Sequence, residues 1–342
     1  LVLFRLVVAS VDKFYIYDVP RNVVDKYPTY EAAKLNRESP APAKEKAMLI
    51  FSEHWANNEG FGIYNDTHHF FDTWQYATFR NIYSRLARSP LRTWNASEAK
   101  LFFVPYDAGL EGWIDEVGNF RGRGNPNALY MWDRIKKSPY FQRNYGYDHF
   151  MVHANCIVAA QVGIKLKQYY RLLENATVIA FEVLPTNVLG LRKYMQAVPY
   201  VAAFHYHPKY PNHSLPALEA GSMNHTRTAF LSFSAGIHTH MPVSNKIRRL
   251  VSAECERSNK ESTPLFDSLR KKYKRVCLHD TMAGANRNVA KLNMVLEHYK
   301  KSVFCLQPQG DSPTRRGMFD ALLAGCKYSR VKWCGVVWCC IG

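Results

Sequence analysis

Acidic residues are scarce in this 342-residue chain: 28 Asp and Glu stand against 45 Lys and Arg, a formal charge of +17. Such a balance invites a nucleic-acid reading, but the accompanying signs are missing. The basic residues are scattered, and their densest clusters, 247–249 and 271–275, are short. No zinc-finger spacing, basic zipper or RNA-binding aromatic motif goes with them, so nucleic acid is not expected as a partner. A surface that attracts anionic ligands explains the charge as well. The chain has no Gly-x-x-x-x-Gly-Lys loop, which excludes the P-loop way of cradling a nucleotide. It has no Asp-X-Asp, a common device for holding a metal ion against a diphosphate. Paired Cys-x-x-Cys motifs are absent, so a structural zinc site is not expected. Repeats and low-complexity stretches are absent too. The apolar stretch 1–9 is far short of the ~20 residues that span a bilayer as a helix, and nothing else in the chain reads as a span.

What is present is an alternation of short apolar runs with longer helical patterns. Hydrophobic residues at 47% and aromatics at 14% belong to a globular protein, not a disordered or fibrous one. Residues 14–17, 101–104, 150–152, 178–181, 230–233 and 303–306 read as buried strands. Between them, 73–87 places Trp74, Ala77, Ile82 and Leu86 on one face of a helix closed by Pro90. Residues 289–299 do the same with Leu292, Val295 and Leu296. Strands separated by helices predict an α/β protein with parallel sheets and ligands at their carboxyl ends. The length exceeds what one core usually serves, so two domains are expected, 1–215 and 225–342. The proline- and histidine-rich stretch 198–225 is the linker candidate, and 34–46 a surface insertion.

Among eight cysteines, Cys255 and Cys277 flank a polar, charged segment and suit a disulfide in an oxidising compartment. Cys156, Cys305 and Cys326 sit in apolar context and read as buried free thiols. Cys334, Cys339 and Cys340 crowd the end. Five Asn-X-Ser/Thr sequons, at Asn65, Asn95, Asn175, Asn212 and Asn224, favour passage through the secretory pathway.

The most informative stretch is 302–325. After the apolar run come Pro308, Gly310 and Pro313, and then a helical pattern. Ser312 suits an N-cap and Pro313 the first helical position. Met318, Phe319, Leu322 and Leu323 form an apolar stripe, and Gly325 suits a left-handed helix end. Arg315 and Arg316 then fall in the first turn, where cations oppose the helix dipole by ~0.3–1 kcal/mol each. Free amides, a glycine turn and two guanidinium groups together suit a bound phosphate or diphosphate.

Phe304-Cys-Leu-Gln-Pro-Gln-Gly-Asp-Ser-Pro-Thr-Arg-Arg316, followed by Phe319-Asp-Ala-Leu-Leu-Ala-Gly-Cys326, closely resembles the donor-binding segment of exostosin-like glycosyltransferases, nearest their plant and algal branch. Lys13-Phe-Tyr-Ile-Tyr-Asp-Val-Pro20 is similar to the family's opening strand, and Ala99-Lys-Leu-Phe-Phe-Val-Pro-Tyr-Asp107 to its second strand and acceptor-side turn. Tyr147-Asp-His-Phe150, Val198-Pro-Tyr200, Phe204-His205, Arg227, the run 230–236 and Ile247-Arg-Arg-Leu250 follow in the family's order. The resemblance covers roughly residues 13–326. It implies the GT-B fold, two Rossmann-like α/β domains facing a cleft, with acceptor bound by the first and nucleotide-sugar by the second. It also implies transfer with inversion from a nucleotide-sugar, expected to be a UDP-sugar, to a glycan acceptor such as a cell-wall or glycoprotein polysaccharide. No metal or other cofactor is expected. The expected location is the Golgi lumen, as a type II membrane protein whose anchor is missing from this chain, of which 1–9 could be the remnant. Homo- or hetero-oligomers with other glycosyltransferases are the expected partners. After Cys326 the chain departs from the family's pattern, so the second domain is expected to be incomplete through truncation or a changed reading frame. The alternative reading is a catalytically inactive exostosin-like binding or accessory subunit.

Loss of a nucleoside diphosphate builds negative charge that cations and helix amides can stabilise. The expected donor-binding residues are Gly310, Asp311, Ser312, Thr314, Arg315 and Arg316, with Arg248 and Arg249 as a second cationic pair. The expected base for the acceptor hydroxyl is Asp107, which follows the strand 101–104 at its carboxyl end. Asp148 and His149 are alternatives, although Asp-His before a buried strand is more often a structural pair. Glu182 is a possible acceptor contact. His205, His207, His213 and His225 read as turn and sugar contacts, not as a metal cluster.

Overall fold

The computed structural model describes residues 13–18, 60–73, 77–106, 133–154, 175–181, 195–205, 227–236, 242–280, 289–308, 315–333 and 338–341. In chain order its elements are β1 (Phe14–Ile16), β2 (Ile63–Asn65), β3 (Phe70–Asp72), α1 (Thr78–Ala87), β4 (Arg92–Thr93), β5 (Leu101–Val104), α2 (Pro139–Gln142), β6 (His149–His153), β7 (Thr177–Ala180) and β8 (Met195–Ala197). There follow β9 (Ala229–Ser234), α3 (Pro242–Lys260), α4 (Pro264–Lys272), β10 (Arg275–Asp280), α5 (Val289–Lys301), β11 (Ser302–Leu306), α6 (Arg316–Leu323), β12 (Lys327–Trp333) and β13 (Trp338–Ile341). The architecture is mixed α/β, and all six apolar runs read as strands are strands. Two compact units emerge: Leu1–Gly62 with Tyr76–Pro199, and Ile63–Gln75 with Tyr200–Gly342. Among the described residues no helix is long and apolar enough to cross a membrane.

The first unit holds six parallel strands in the order β4-β1-β5-β6-β7-β8. Its central strands are apolar on both faces, as a covered parallel sheet requires. Phe102, Phe103, Val104, Met151 and Val152 are completely buried. Phe79 of α1 lies over Phe103, ring centroids 6.2 Å apart. This helix begins at Thr78, not at residue 73 as its apolar spacing suggested. Thr73 is instead held in the second unit, just after a strand whose Phe71 N–H bonds the Ala203 carbonyl.

The second unit holds a sheet ordered β10-β9-β11-β12-β13, parallel except for the last pair, with the β2–β3 hairpin packed in the same unit. Phe70, Ala203, Phe204, Leu292, Leu296, Tyr299, Cys305 and Ala321 share one core. Residues 200–204 therefore do not act as a loose linker: Tyr200, Ala202, Ala203 and Phe204 are buried. Cys255 and Cys277 are bonded, joining α3 to β10, and Asn259 adds hydrogen bonds to the Val276 and Cys277 amides and the Cys277 carbonyl. Cys305 and Cys326 are bonded as well. They are not the free thiols that an apolar setting suggested. Gly325, at φ 73°, closes α6 with Gly325 N–H on the Leu322 carbonyl and Cys326 N–H on the Ala321 carbonyl. This double-bonded helix end turns Cys326 back beside β11.

Two expectations for α6 are corrected. The helix starts at Arg316 with Arg315 extended before it (φ −157°, ψ 154°), so Pro313 is not its first residue and the two arginines straddle its start. Its buried face is Arg316, Asp320, Ala321 and Ala324, while Leu322 is 43% exposed. The apolar stripe seats the helix only in part: Leu323 packs on the core and Phe319 lies against Tyr200, ring centroids 6.0 Å apart. The Arg316–Asp320 ion pair and small alanines complete the buried face, because Arg316 and Asp320 bind backbone groups beneath it.

Candidate functional site

In each sheet the first strand in chain order lies between the second and third: β1 between β4 and β5, β9 between β10 and β11. Connections leave such a strand in opposite directions, and ligands of open α/β sheets bind in the crevice at its carboxyl end. In the second unit, polar side chains gather at that place. Arg315 Nη2 donates to the carbonyl of Ser234, the last residue of β9, at 2.9 Å. Arg248 on α3, 5% exposed, donates to the carbonyl of Gly236, two residues on. Gln307, next after β11, is 4% exposed. Its amide lies against Gly317: a Cβ there would sit 3.0 Å from Gln307 Oε1, 2.9 Å from the Tyr299 hydroxyl and 3.3 Å from Arg315 Nη2. Only a glycine lets the first turn of α6 press this closely onto three polar groups. Burial pushes the Tyr299 hydroxyl pKa up, so it stays protonated.

Several of these groups lack a partner. Arg315 Nη1, the Ser234 hydroxyl, and both Oε1 and Nε2 of Gln307 are buried without a well-aligned hydrogen bond. Each such group costs ~1–3 kcal/mol in the absence of a partner. An anionic ligand with hydroxyl groups would supply what all of them lack.

The other sequence-derived candidates fall out as follows. Arg316 is buried at 5% exposure, pairs with Asp320 at 3.2 Å and donates from Nη1 to the Thr73 carbonyl, while its Nη2, like Arg315 Nη1, is buried without a well-aligned hydrogen bond. Arg249 is exposed on α3 while its neighbour Arg248 is buried, so that pair is split between two faces. Gly310, Asp311, Ser312, Thr314 and Asp107 lie outside the described residues, as do Glu182, His207, His213 and His225. His205 stacks on Phe71, centroids 4.3 Å apart. Among the described residues no group of three His, Cys, Asp or Glu is gathered so as to hold a metal ion.

Asp148 and His149 form the structural pair anticipated for them. His149, 1% exposed, donates from Nδ1 to Asp148 at 2.7 Å, and its Nε2 faces the Tyr17 hydroxyl at 2.8 Å. Arg143 completes the row with Asp148 at 3.3 Å. Burial pushes the Tyr17 hydroxyl to about 12, which keeps it a donor.

Sequence reasoning missed Gln307, Ser234 and Tyr299 as site residues. The rule that singled out Asp107, a polar residue just past the carboxyl end of a buried strand, applies equally to Gln307. It also gave Arg227 no role. Arg227 binds the carbonyls of Tyr299 at 3.1 Å and Gly325 at 3.0 Å, gathering the carboxyl ends of α5 and α6.

Comparison with known proteins settles the family: the Exostosin GT47 domain matches residues 11–326. The chain belongs to the exostosin GT47 family. This exostosin GT47 chain is 28% identical over 280 residues to an Arabidopsis thaliana protein named probable xyloglucan galactosyltransferase GT20, covering 79% of this chain and 44% of that protein. It is 26% identical over 322 residues to xyloglucan-specific galacturonosyltransferase 1 of the same plant, covering 91% and 42%. With xyloglucan galactosyltransferase XLT2, also from Arabidopsis thaliana, it shares 26% over 275 residues, covering 75% and 46%. The chain therefore spans less than half the length of these relatives. Every residue of the β9–β11 cluster lies inside the matched span of the exostosin GT47 domain.

Proposed function

We propose that this chain is a glycosyltransferase that moves a sugar from a nucleotide-sugar, a UDP-sugar, to a polysaccharide acceptor of the xyloglucan type, with inversion. The observation that carries the reading is the unpartnered cationic and amide cluster at the carboxyl ends of β9 and β11, inside the exostosin GT47 span. The two sheets, each with its first strand between its second and third, support two Rossmann-like domains of the GT-B kind, with the donor in the second. Arg315 Nη1 donates to the donor diphosphate and stabilises the charge that grows on the leaving group. Arg248 holds the Gly236 carbonyl and so shapes the turn after β9. With these cations at the diphosphate, no metal ion is needed in this reading. Asp107, immediately after Tyr106 at the carboxyl end of β5, takes the proton of the acceptor hydroxyl. The names of the relatives support a xyloglucan acceptor and a galactose or galacturonic acid donor. Two disulfides and five sequons support a lumenal, Golgi location.

The test is transfer. Purified protein is incubated with UDP-galactose or UDP-galacturonic acid and xyloglucan oligosaccharides, and the product is analysed by mass and anomeric configuration. Acceptor-dependent UDP release with a product of inverted configuration is expected. Asp107→Asn is expected to lower turnover by ~10²–10⁴-fold with donor affinity intact. Absence of any product, from a protein that stays folded, would overturn the reading.

A further inference from the structure

We infer that Gln307 reads a ring hydroxyl of the nucleotide-sugar, which makes it a specificity-determining residue; the inference rests on the donor reading above. Gln307 follows Leu306 at the carboxyl end of β11 and is 4% exposed, too deep for bulk water to serve its amide freely. A primary amide has one acceptor oxygen and two donor hydrogens. Neither Oε1 nor Nε2 has a well-aligned partner, and the Tyr299 hydroxyl and Arg315 guanidinium crowd the same spot around Gly317.

The neighbours restrict what completes this amide. Arg315 Nη1 is an unpartnered cationic donor, and a diphosphate oxygen matches it. A diphosphate oxygen only accepts hydrogen bonds. It could serve Gln307 Nε2 but not Oε1, which would keep only the Tyr299 hydroxyl beside it, without a well-aligned bond. A ring hydroxyl both donates and accepts, so one hydroxyl or a vicinal pair satisfies both ends of the amide. The ligand class is therefore a hydroxylated ring linked to a diphosphate. A nucleotide-sugar carries two such rings, the transferred pyranose and the ribose, and affinity measurements separate them.

Binding of UDP-galactose, UDP and inorganic pyrophosphate to the full chain is measured by calorimetry for the wild type and for Gln307→Leu. The variant is expected to weaken UDP-galactose by about tenfold or more and to leave pyrophosphate unchanged. UDP unchanged in the same variant assigns the contact to the pyranose; UDP weakened in parallel assigns it to the ribose. UDP-galactose affinity equal to wild type, or pyrophosphate weakened in step with it, overturns the inference. Gln307→Met, unbranched and of similar length, is measured alongside, and loss of the fold in both variants would place Gln307 in the structural core and likewise overturn it. A wild type that binds none of the three ligands overturns the donor reading itself, whereas binding by the wild type with unaffected variants overturns only the role of Gln307.

Discussion

The Asp320 carboxylate accepts the backbone N–H of Ala203 at 2.6 Å, across 117 residues of chain. Its other oxygen faces Arg316 one helical turn back, and Arg316 in turn donates to the Thr73 carbonyl. One buried ion pair thus fastens the β2–β3 hairpin, the stretch 200–204 and α6 to one another. Burial pushes the Asp320 pKa up, while Arg316 opposes that shift. Asp320→Ala would leave a buried guanidinium without its counter-charge and a buried N–H without its acceptor, and a loss of about 3–5 kcal/mol is expected. Denaturant unfolding reads it directly. Asp320→Asn, which keeps an acceptor for Ala203, is expected to cost less, and a near-neutral Asp320→Ala would show that the clamp is not what holds α6.

Arg315 and Arg249 both looked like donor contacts in the sequence, and the structure separates them. Arg315 has one arm on Ser234 and the other unpartnered at the crevice; Arg249 is exposed on α3. Arg315→Ala is expected to weaken nucleoside diphosphate binding by about 1.5–3 kcal/mol, the range for a charged hydrogen bond. Arg249→Ala is expected to change stability by less than ~0.5 kcal/mol and to leave binding nearly intact. Equal losses in calorimetry would return Arg249 to the site.

His149 gives the first unit a pH dependence of predictable sign. Burial holds its pKa below the usual 6.5, more strongly than Asp148 raises it. Between 6.5 and that lower value the unfolded chain binds a proton that the folded chain excludes, so stability falls as pH drops through this window. Urea unfolding at about pH 7.5 and 5.5 measures the slope. His149→Gln is expected to flatten it, and an unchanged slope in that variant would assign the dependence elsewhere.

Of the sequon asparagines among the described residues, Asn65, Asn95 and Asn175, only Asn95 is exposed. It is exposed beside Trp94, itself 76% exposed, and its Oδ1 accepts from Ser97 N–H at 3.1 Å and the Ser97 hydroxyl at 2.8 Å. The Asn95 amide donates to the exposed Glu98 carboxylate at 3.2 Å, whereas Asn175 is half-buried and donates its side-chain amide to the Tyr145 carbonyl at 3.0 Å. Protein made in a plant secretory pathway is expected to carry a glycan at Asn95, and Asn95→Gln to lose one glycan's mass. Peptide mapping that finds Asn95 unmodified would refute this.

Strands such as β5 and β11 were legible because each is buried among neighbours on both faces, so its local composition reports its environment. The same holds for the left-handed turn at Gly325 and for the pairing of Cys255 with Cys277, whose polar surroundings mark them as bridged. Cys305 and Cys326 defeated the same reasoning. An apolar setting suits a free thiol and a buried disulfide alike, and only the helix end at Gly325 brings the two Cα atoms to 5.9 Å.

The sequence by itself determined the mixed α/β class, the position of six buried strands and the family, because hydrophobic runs and an ordered series of motifs are local properties. Tertiary structure alone decided what the charged residues do. Arg316 read as a phosphate ligand alone, whereas the fold also sets its Nη1 on the carbonyl of Thr73, 243 residues away, and pairs it with Asp320. Gln307 looked unremarkable until Tyr299, Arg315 and Gly317 closed around an amide with no well-aligned hydrogen bond. Whether a buried polar group is an anchor or a binding element depends on which distant groups satisfy it, and neighbouring residues in the chain do not carry that information.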